Sequence, residues 1–206
     1  MAVMLVSHDV TVNRMHPDMR KAVKQKDESR SGTREKLARA AAAEFRVRGF
    51  GGTDTNRIAR RAGFAPQTFY RWFSDKIEIF LFVYRVWEED EAKAIGALVE
   101  RRARAEELAD AIVAHHRAWL LFRRSLRLLS VENPQVRKAR AESRLRQLAR
   151  MEQWNTERRR SRDELAPLLL QIERLSDAIA EGEFNDLGVS PGAARAALAD
   201  VLRRLR

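Results

Sequence analysis

Residues 58–73 read IARRAGFAPQTFYRWF. A short apolar and basic segment runs into Gly63, a residue that allows a left-handed backbone turn. Pro66 follows at a position suited to the first turn of a second helix, which tolerates a missing N–H. Phe69 and Phe73, four residues apart, predict one buried side on that helix. Two short helices across a tight turn predict a helix-turn-helix.

The other side of the second helix is predicted to face outward. Glutamine can bond adenine through two atoms, threonine can contact a base or a thymine methyl, and arginine can reach guanine or phosphate. Tyrosine suits a phosphate contact. The alternative is an ordinary helical hairpin with a wet polar face, although such a face rarely carries tyrosine and tryptophan. The candidate DNA-binding residues on this helix are Gln67, Thr68, Tyr70, Arg71 and Trp72.

Two further residues complete the predicted DNA contacts. Thr53 is expected to cap a short helix over residues 54–62, where a helix N-terminus offers free N–H groups to phosphate. Lys76, at the start of the next helix, would add a cation beside the same DNA backbone.

The composition of the 206-residue chain favours an all-α protein. Gly, Pro and Tyr are few, and no alternating apolar run predicts a strand. Cysteine is absent, which excludes disulfides, thiolate metal sites and a catalytic thiol. The first 19 residues lack the features of a signal peptide, and the longest apolar run is too short to span a bilayer. We therefore expect a cytoplasmic protein that does not enter a membrane.

The positive charge is concentrated near the front of the chain. The net charge is +11, and residues 20–76 hold 15 Lys and Arg against 6 Asp and Glu, whereas residues 77–206 hold 24 against 21. A basic first third predicts a polyanion partner, with a solvated surface that binds nothing specific as the alternative. Residues 1–30 are predicted to be a disordered basic arm. Within this arm, Lys21–Arg30 either lies along the minor groove or the DNA backbone, or it is a disordered tail of no consequence.

Helical periodicity divides the rest into two domains. Residues 31–76 are predicted to form the three-helix DNA-binding domain, with a first helix from Thr33 to Arg48. Residues 77–206 are predicted to form a second helical domain, and an apolar helix near 75–94 connects the two.

The second domain should contain several amphipathic helices. One is predicted near 104–122, and Asn133-Pro134 is expected to begin another. The charged run at 158–163 is expected to be a turn or kink. Apolar residues then recur in steps of three and four, the spacing of a helix–helix seam, until Gly182 ends the helix. Ser190-Pro191 is expected to begin the last helix.

Catalysis is not indicated by any motif. His115 and His116 are adjacent, so on a helix they point about 100° apart and cannot form a metal-binding pair. No phosphate-binding loop, HExxH or GxSxG sequence occurs. We expect no enzyme, no catalytic or metal site and no cofactor.

Residues 33–80 closely resemble the N-terminal domain of the tetracycline repressor (TetR) family. The matching residues are Gly49-Phe50, Thr53, Ile58-Ala59, Ala62-Gly63, Phe69-Tyr70, Phe73 and Lys76. The resemblance implies a DNA-binding domain followed by a helical ligand-binding and dimerisation domain, and members are mostly repressors that a small molecule releases from an operator. It also implies phosphate contacts by Thr53, Thr68, Tyr70 and Lys76 and base contacts by Gln67 and Arg71.

The chain departs from the family pattern at three positions. Ala65 stands where Ser is usual, Gln67 where Gly is frequent and Trp72 where His or Tyr is usual. These changes leave the expected fold intact and bear on the operator sequence. The predicted function is a homodimeric repressor with two recognition helices in successive major grooves of a palindromic operator, released by an unknown small molecule. The alternative is an architectural protein that binds DNA without sequence choice or ligand, which competition with random DNA would distinguish.

An effector pocket and a dimer interface are expected in the second domain. The pocket should lie between the connecting helix and the helices after it, and its candidate residues could equally be core. They are Trp87, His115, Trp119, Phe122 and Trp154. The candidate interface residues are Leu165, Leu168, Ile172, Leu175, Ile179, Leu198, Val201 and Leu202.

Overall fold

The computed structural model describes residues 17–154 and 160–205, with side chains from Gly32 onward. Within these ranges the chain forms ten helices and no strand, which confirms the all-α prediction. None of these described helices is both long and apolar enough to cross a membrane. In chain order they are α1 (Pro17–Arg48), α2 (Thr55–Arg61), α3 (Pro66–Tyr70), α4 (Lys76–Glu100), α5 (Ala105–Ala118), α6 (Leu120–Glu132), α7 (Pro134–Trp154), α8 (Arg162–Glu181), α9 (Glu183–Asp186) and α10 (Pro191–Arg203).

The first helix begins earlier than predicted. The expected start was Thr33, but α1 runs from Pro17. Proline is well tolerated at the beginning of a helix, and the Lys, Gln, Glu, Arg and Ala residues that follow are good helix formers. The predicted disordered arm is therefore helical over residues 17–30, and residues 1–16 lie outside the described ranges.

The first three helices pack around one apolar core. Leu37, Ala41 and Phe45, which recur every four residues along α1, are fully buried. Ile58 from α2 and Phe69 from α3 join them in the same core. The apolar periodicity of the sequence thus locates the interior of this unit.

Two left-handed glycines set the directions of these helices. Gly49 ends α1 with φ +66°, and Gly63 turns the chain between α2 and α3 with φ +81°. Any other residue would be strained at such φ values. Across the second turn, the Phe64 N–H donates to the carbonyl oxygen of Ala59 at 2.9 Å.

The fourth helix belongs to both halves of the molecule. Ile79 and Phe80 of α4 are buried with the core of the first three helices, and Phe122 of α6 enters that core as well. At its other end, α4 packs Ile95 and Leu98 against a second core. The apolar interior therefore continues across the predicted domain boundary between residues 76 and 77.

The second core is built by α5, α8 and α10. Leu108 and Ile112 of α5 meet Ile179 of α8, together with Leu198 and Leu202 of α10. A small third cluster joins α7 to α8. These contacts bury the apolar stripes of three helices within one chain.

This packing corrects most of the predicted dimer interface, because six of the eight residues proposed for it are buried inside the single chain. An apolar stripe has the same spacing whether it faces a helix of its own chain or one of a partner. The spacing therefore could not separate the two cases. The buried residues are Leu165, Leu168, Ile179, Leu198, Val201 and Leu202, while Ile172 and Leu175 are half-buried against the second core.

The helix predicted over 104–122 is two helices. α5 ends at Ala118 and α6 begins at Leu120, with Trp119 between them at φ −122° and ψ 29°. No glycine or proline marks this break, so residue patterns do not predict it.

The other helix ends in the second half follow the predicted caps. Asn133 accepts hydrogen bonds from the first N–H groups of α7. Gly182 ends α8 at φ +82°, and Ser190 caps α10. The charged run at 158–163 lies partly outside the described ranges, and Ser161 within it begins α8 with a capping box.

Candidate nucleic-acid interface

Short-range contacts and a proline fix the start of α2 and of α3. Asp54 caps α2, accepting a hydrogen bond at its Oδ1 from the Arg57 N–H at 2.7 Å. That hydrogen bond lowers the pKa of Asp54. Thr53, the predicted cap, lies one residue too early. Pro66 is the first residue of α3 as predicted, and Ala65 before it makes no side-chain cap.

The short helix α3 is buried on one side and open on the other. Phe69 and Phe73 are buried, with ring centroids 5.8 Å apart. Gln67, Tyr70 and Arg71 are exposed, and Tyr70 keeps 57% of its surface accessible. The structure thus brings the three side chains with the longest polar reach to one outward surface, which we call the α3 flank (Gln67, Thr68, Tyr70, Arg71 and Trp72).

The remaining two members of the α3 flank lie at its edge. Thr68 and Trp72 are half-buried, and the indole of Trp72 packs against the first core. Tyr70 places its Oη 3.0 Å from Oγ1 of Thr55 on α2. This hydrogen bond joins the two helices and fixes the Tyr70 ring on the surface. Contacts of these residues with DNA remain predictions.

Thr53 is not available to DNA through its hydroxyl, so that part of the prediction is wrong. The residue is only 5% exposed, and its Oγ1 donates to Oε2 of Glu44 at 3.1 Å. The buried Glu44 also pairs with Arg61 at 3.1 Å and Arg48 at 3.3 Å. Glu44 therefore ties α1, the α1–α2 loop and α2 together. The sequence offered little sign of this, because a lone Glu on an alanine-rich helix usually faces water.

Lys76 holds the α1–α2 loop against α4. Its Nζ donates to the carbonyl oxygens of Phe50 and Thr53, both at 2.9 Å, and lies 4.1 Å from the centroid of the Phe50 ring. Burial lowers the pKa of Lys76. An ammonium has three donors, and two point at these carbonyls. A phosphate contact by the third remains a prediction.

The surface of α2 adds cations that the sequence alone did not single out. Arg57 and Arg60 are exposed, and their spacing of three residues places them on one side of the helix. The Thr55–Tyr70 hydrogen bond brings α2 directly beside the α3 flank. The basic run around Ile58 was the available signal, since exposed arginines beside a recognition helix commonly contact phosphate.

A half-open cavity of about 100 Å³ lies in the second half, lined by residues of α4, α5, α6, α7, α8 and α10. Its wall is mostly apolar and also includes charged side chains from several of these helices. Across the described residues, no group of three His, Asp or Glu side chains is arranged to hold a metal ion. The apolar wall includes Ile95, Ile112, Met151, Trp154, Leu169 and Ile172.

Of the five predicted pocket residues, Trp154 lines this cavity and the other four do not. Trp87 and Phe122 are buried in the first core, with ring centroids 6.4 Å apart. Trp119 packs edge-on against Phe122 at 5.5 Å, and His115 tilts against Trp87 at 5.0 Å. Trp87 and Phe122 are therefore core residues, and Trp119 and His115 are half-buried beside them.

His116, rather than its neighbour, lies on the cavity wall. Its Nδ1 is 2.9 Å from Oδ1 of Asp177, and its Nε2 is 3.1 Å from Oε1 of Glu91. Arg123 donates two hydrogen bonds to Asp177, at 3.0 and 3.1 Å. Burial would raise the pKa of Asp177, but the hydrogen bonds from His116 and Arg123 and the charge of Arg123 hold it far below its usual value. Buried charges therefore link α4, α5, α6 and α8 beside the cavity.

The phenylalanines Phe69 and Phe73 hold the short helix α3 in the core, and its polar side chains face outward beside the basic helix α2. This arrangement defines a helix-turn-helix DNA-binding domain. The family model described as bacterial regulatory proteins, tetR family, matches residues 37–83. Over these residues the chain is similar to the DNA-binding domain of that family.

Known proteins resemble this chain either in sequence over a short part or in fold over most of its length. The HTH-type transcriptional regulator YdgC of Bacillus subtilis is 44% identical over 48 residues, which span 23% of this chain and a quarter of YdgC. A TetR-family regulator from Rhodococcus shares the fold at 18% identity and a TM-score of 0.63, covering 85% of this chain and 98% of its own. A Saccharomonospora viridis regulator in complex with choline has 20% identity and a TM-score of 0.64, covering 84% of this chain and 96% of the regulator. The FadR regulator of Bacillus subtilis in complex with stearoyl-CoA has 18% identity and a TM-score of 0.53, covering 82% of this chain and 96% of FadR.

Proposed function

We propose that the protein is a repressor that binds a palindromic DNA operator as a homodimer and leaves it when a small molecule occupies the cavity. The observation that carries the DNA part is the α3 flank. Its exposed side chains stand on a helix that Phe69 and Phe73 hold rigidly in the core. Since the proposed partner is genomic DNA, we also propose that the protein acts in the cytoplasm and not as an enzyme.

Within this proposal the DNA contacts divide into two kinds. Gln67 and Arg71 have the reach and the donors to read base edges in the major groove. Tyr70 on α3 and Arg57 and Arg60 on α2 supply sequence-independent phosphate contacts. Lys76 acts mainly by fixing the loop that positions α2, because its ammonium is directed at the loop carbonyls.

The homodimer is proposed to form through the outer surface of α8 and α10, which replaces the buried seam. Leu170 on α8 and Ala193, Ala196 and Ala197 on α10 are exposed, and small side chains allow close helix approach. Arg204 donates to Gln171 at 2.7 Å, so these two outer surfaces lie side by side. A two-fold axis along this pair would present both recognition helices to one side of a duplex.

The cavity is the proposed effector site. Glu91 on α4 and Arg123 on α6 both belong to its wall, so a ligand there contacts the two helices that also pack into the first core. A ligand that binds one arrangement of these helices better than another shifts the population of the DNA-binding form. Two proteins of similar fold form complexes with choline and with stearoyl-CoA, which supports the proposal that this chain binds a small molecule.

Selection of bound sequences from random duplex DNA tests this function most broadly. We expect an inverted repeat whose half-sites are centred about 10 base pairs apart, or a multiple of that spacing. Enrichment of no motif, with equal affinity for random DNA, would favour the architectural alternative. A single half-site without symmetry would contradict the homodimer while leaving the DNA-reading role of α3 in place.

A further inference from the structure

We propose that the effector is an organic anion, with an apolar body and a carboxylate-like head group that Arg150 binds. This inference rests on the proposed function, in which the cavity is the effector site. It follows from the apolar wall, from the balance of charge around the cavity and from the way Arg150 is held.

The apolar wall sets the body of the ligand. Ile95, Ile112, Leu169 and Ile172 are aliphatic, and Met151 adds a flexible thioether that adapts to irregular shapes. A volume of about 100 Å³ suits a compact molecule with a short hydrocarbon part. Burial of such a body supplies affinity without selecting charge.

The charge selection comes from three ion-pair clusters around the cavity, each of which supplies at least one wall residue. Their carboxylates are Glu88, Glu91, Glu173, Asp177 and Glu181. Their guanidinium groups are Arg123, Arg124, Arg127, Arg140, Arg144, Arg146 and Arg150. The clusters therefore hold seven cations and five carboxylates, and Arg123, Arg150, Glu91 and Glu173 are the members that line the cavity itself. An anionic ligand relieves the positive excess of the clusters, whereas a cationic ligand adds to it.

Arg150 is the wall cation best placed to accept the anion. It makes one hydrogen bond to Oε1 of Glu88, at 3.2 Å. Arg146 holds both oxygens of the same carboxylate, at 3.1 and 2.6 Å. Because Arg146 already neutralises Glu88, Arg150 can turn its guanidinium donors to a ligand without leaving a buried carboxylate unpaired.

The other charged wall groups are more tightly committed. Arg123 binds Asp177 through two nitrogens, and its guanidinium lies 4.9 Å from the Trp87 ring centroid. Glu173 is paired with two arginines of α7, and Glu91 with His116. Both wall carboxylates thus have cationic or donor partners already, so neither selects a cationic ligand.

Three probes with equal hydrocarbon bodies test the inference: hexanoate, hexylamine and 1-hexanol. Their dissociation constants for the full chain are measured by titration calorimetry at pH 7. We expect hexanoate to bind tightest. Arg150→Gln should weaken hexanoate at least tenfold and change 1-hexanol less than twofold, because a charge-assisted hydrogen bond is lost. Arg150→Lys keeps the charge but not the planar donors, so its affinity for hexanoate should lie between those of the original protein and Arg150→Gln.

Arg137→Gln is the matched control. Arg137 lies on the same helix and is exposed, but it belongs to none of the three clusters and does not line the cavity. Hexanoate should bind this variant within about threefold of the original protein. Thermal unfolding of each variant verifies that it folds.

The outcomes separate the inference from the proposed function. Tighter binding of hexylamine or hexanol, or hexanoate binding that Arg150→Gln leaves unchanged, overturns the anion inference. If hexylamine or hexanol then releases the selected DNA, the effector function stands with a different ligand class. Binding of none of the three overturns the anion inference, and DNA binding by the unliganded protein is judged from its own measurement.

Discussion

The backbone N–H of Phe50 donates a hydrogen bond to Oγ of Ser125, 2.9 Å away and 75 residues later in the chain. Ser125 in turn donates to the Leu121 carbonyl oxygen at 2.8 Å. The loop after α1, which Lys76 also holds, is thus tied to α6. Arg123 of the same helix lies on the cavity wall. One short path of contacts therefore joins the cavity to the DNA-binding half.

Ser125→Ala should loosen this connection. The Phe50 N–H loses its acceptor, which we expect to lower the free energy of unfolding by about 1–2 kcal/mol. It should also reduce the change in DNA affinity that a cavity ligand causes. Ser130→Ala is the control, because Ser130 is on the same helix and its hydroxyl donates to the Arg127 carbonyl oxygen. An unchanged ligand response in Ser125→Ala, measured by fluorescence anisotropy with labelled DNA, would argue against this path.

Glu44→Ala should damage the DNA-binding unit. Thr53 and Arg61 would lose the buried carboxylate that holds them, and we expect a loss of about 2 kcal/mol in the free energy of unfolding with weaker DNA binding. Glu35→Ala on the same helix is the control, since its ion pair with Arg39 is exposed at 3.8 Å and should contribute under about 0.5 kcal/mol. Urea unfolding measures both variants. Equal losses would show that Glu44 has no special structural role.

Asp177→Asn should remove a pH-dependent part of the stability. The folded-state pKa of Asp177 is lowered, so its stabilisation is complete above the unfolded-state pKa of about 3.9 and is lost as pH falls below it. We expect a deficit of about 3–5 kcal/mol at pH 7, because Arg123 loses its buried counter-charge.

The deficit of Asp177→Asn should shrink as pH falls from 4 to 2, which urea unfolding across this range would measure. The exposed Asp110, paired with Arg195 at 3.3 Å, provides the control variant Asp110→Asn. A deficit that is the same at pH 2 as at pH 7 would contradict the account of this carboxylate.

Ala197→Arg should weaken the proposed dimer without unfolding the chain. Ala197 is exposed on α10, so the single chain can accommodate a long side chain, whereas a helix interface cannot. Sedimentation velocity over a range of concentrations should show more monomer than in the original protein. Ala141→Arg, at an exposed position of α7, is the control. If neither variant dissociates, the α8–α10 surface is not the interface.

Residue patterns predicted the DNA-binding half well because its signals are local. The glycine turn at Gly63, proline at the start of α3 and the Phe69–Phe73 spacing each constrain only a few neighbouring residues. The exposed side chains of α3 follow directly from which side those phenylalanines bury. Thr53 was misassigned because the direction of its hydroxyl depends on Glu44, nine residues earlier on another helix.

The second half was harder to predict. The apolar periodicity of its helices was recognised, but the helix or chain that each apolar side contacts was not. The stripe through Leu165 is apolar at helical spacing whether it faces α7 or a second chain. Likewise, Trp87 and Phe122 look alike as core or as cavity wall, and only their mutual packing decides. His116 could not be preferred over His115 until the phase of α5 was known.

The α3 flank is proposed to read the DNA sequence of the operator. The ratio of affinities for the selected operator and for the same duplex with one half-site scrambled, at one salt concentration, measures this reading. We expect Gln67→Ala and Arg71→Ala each to lower this ratio roughly five- to 150-fold, which corresponds to a loss of about 1–3 kcal/mol in binding discrimination. Lys93→Ala, exposed on α4 in the second half, should leave it unchanged. If both α3 variants keep the ratio of the original protein, another surface reads the operator and the account is wrong.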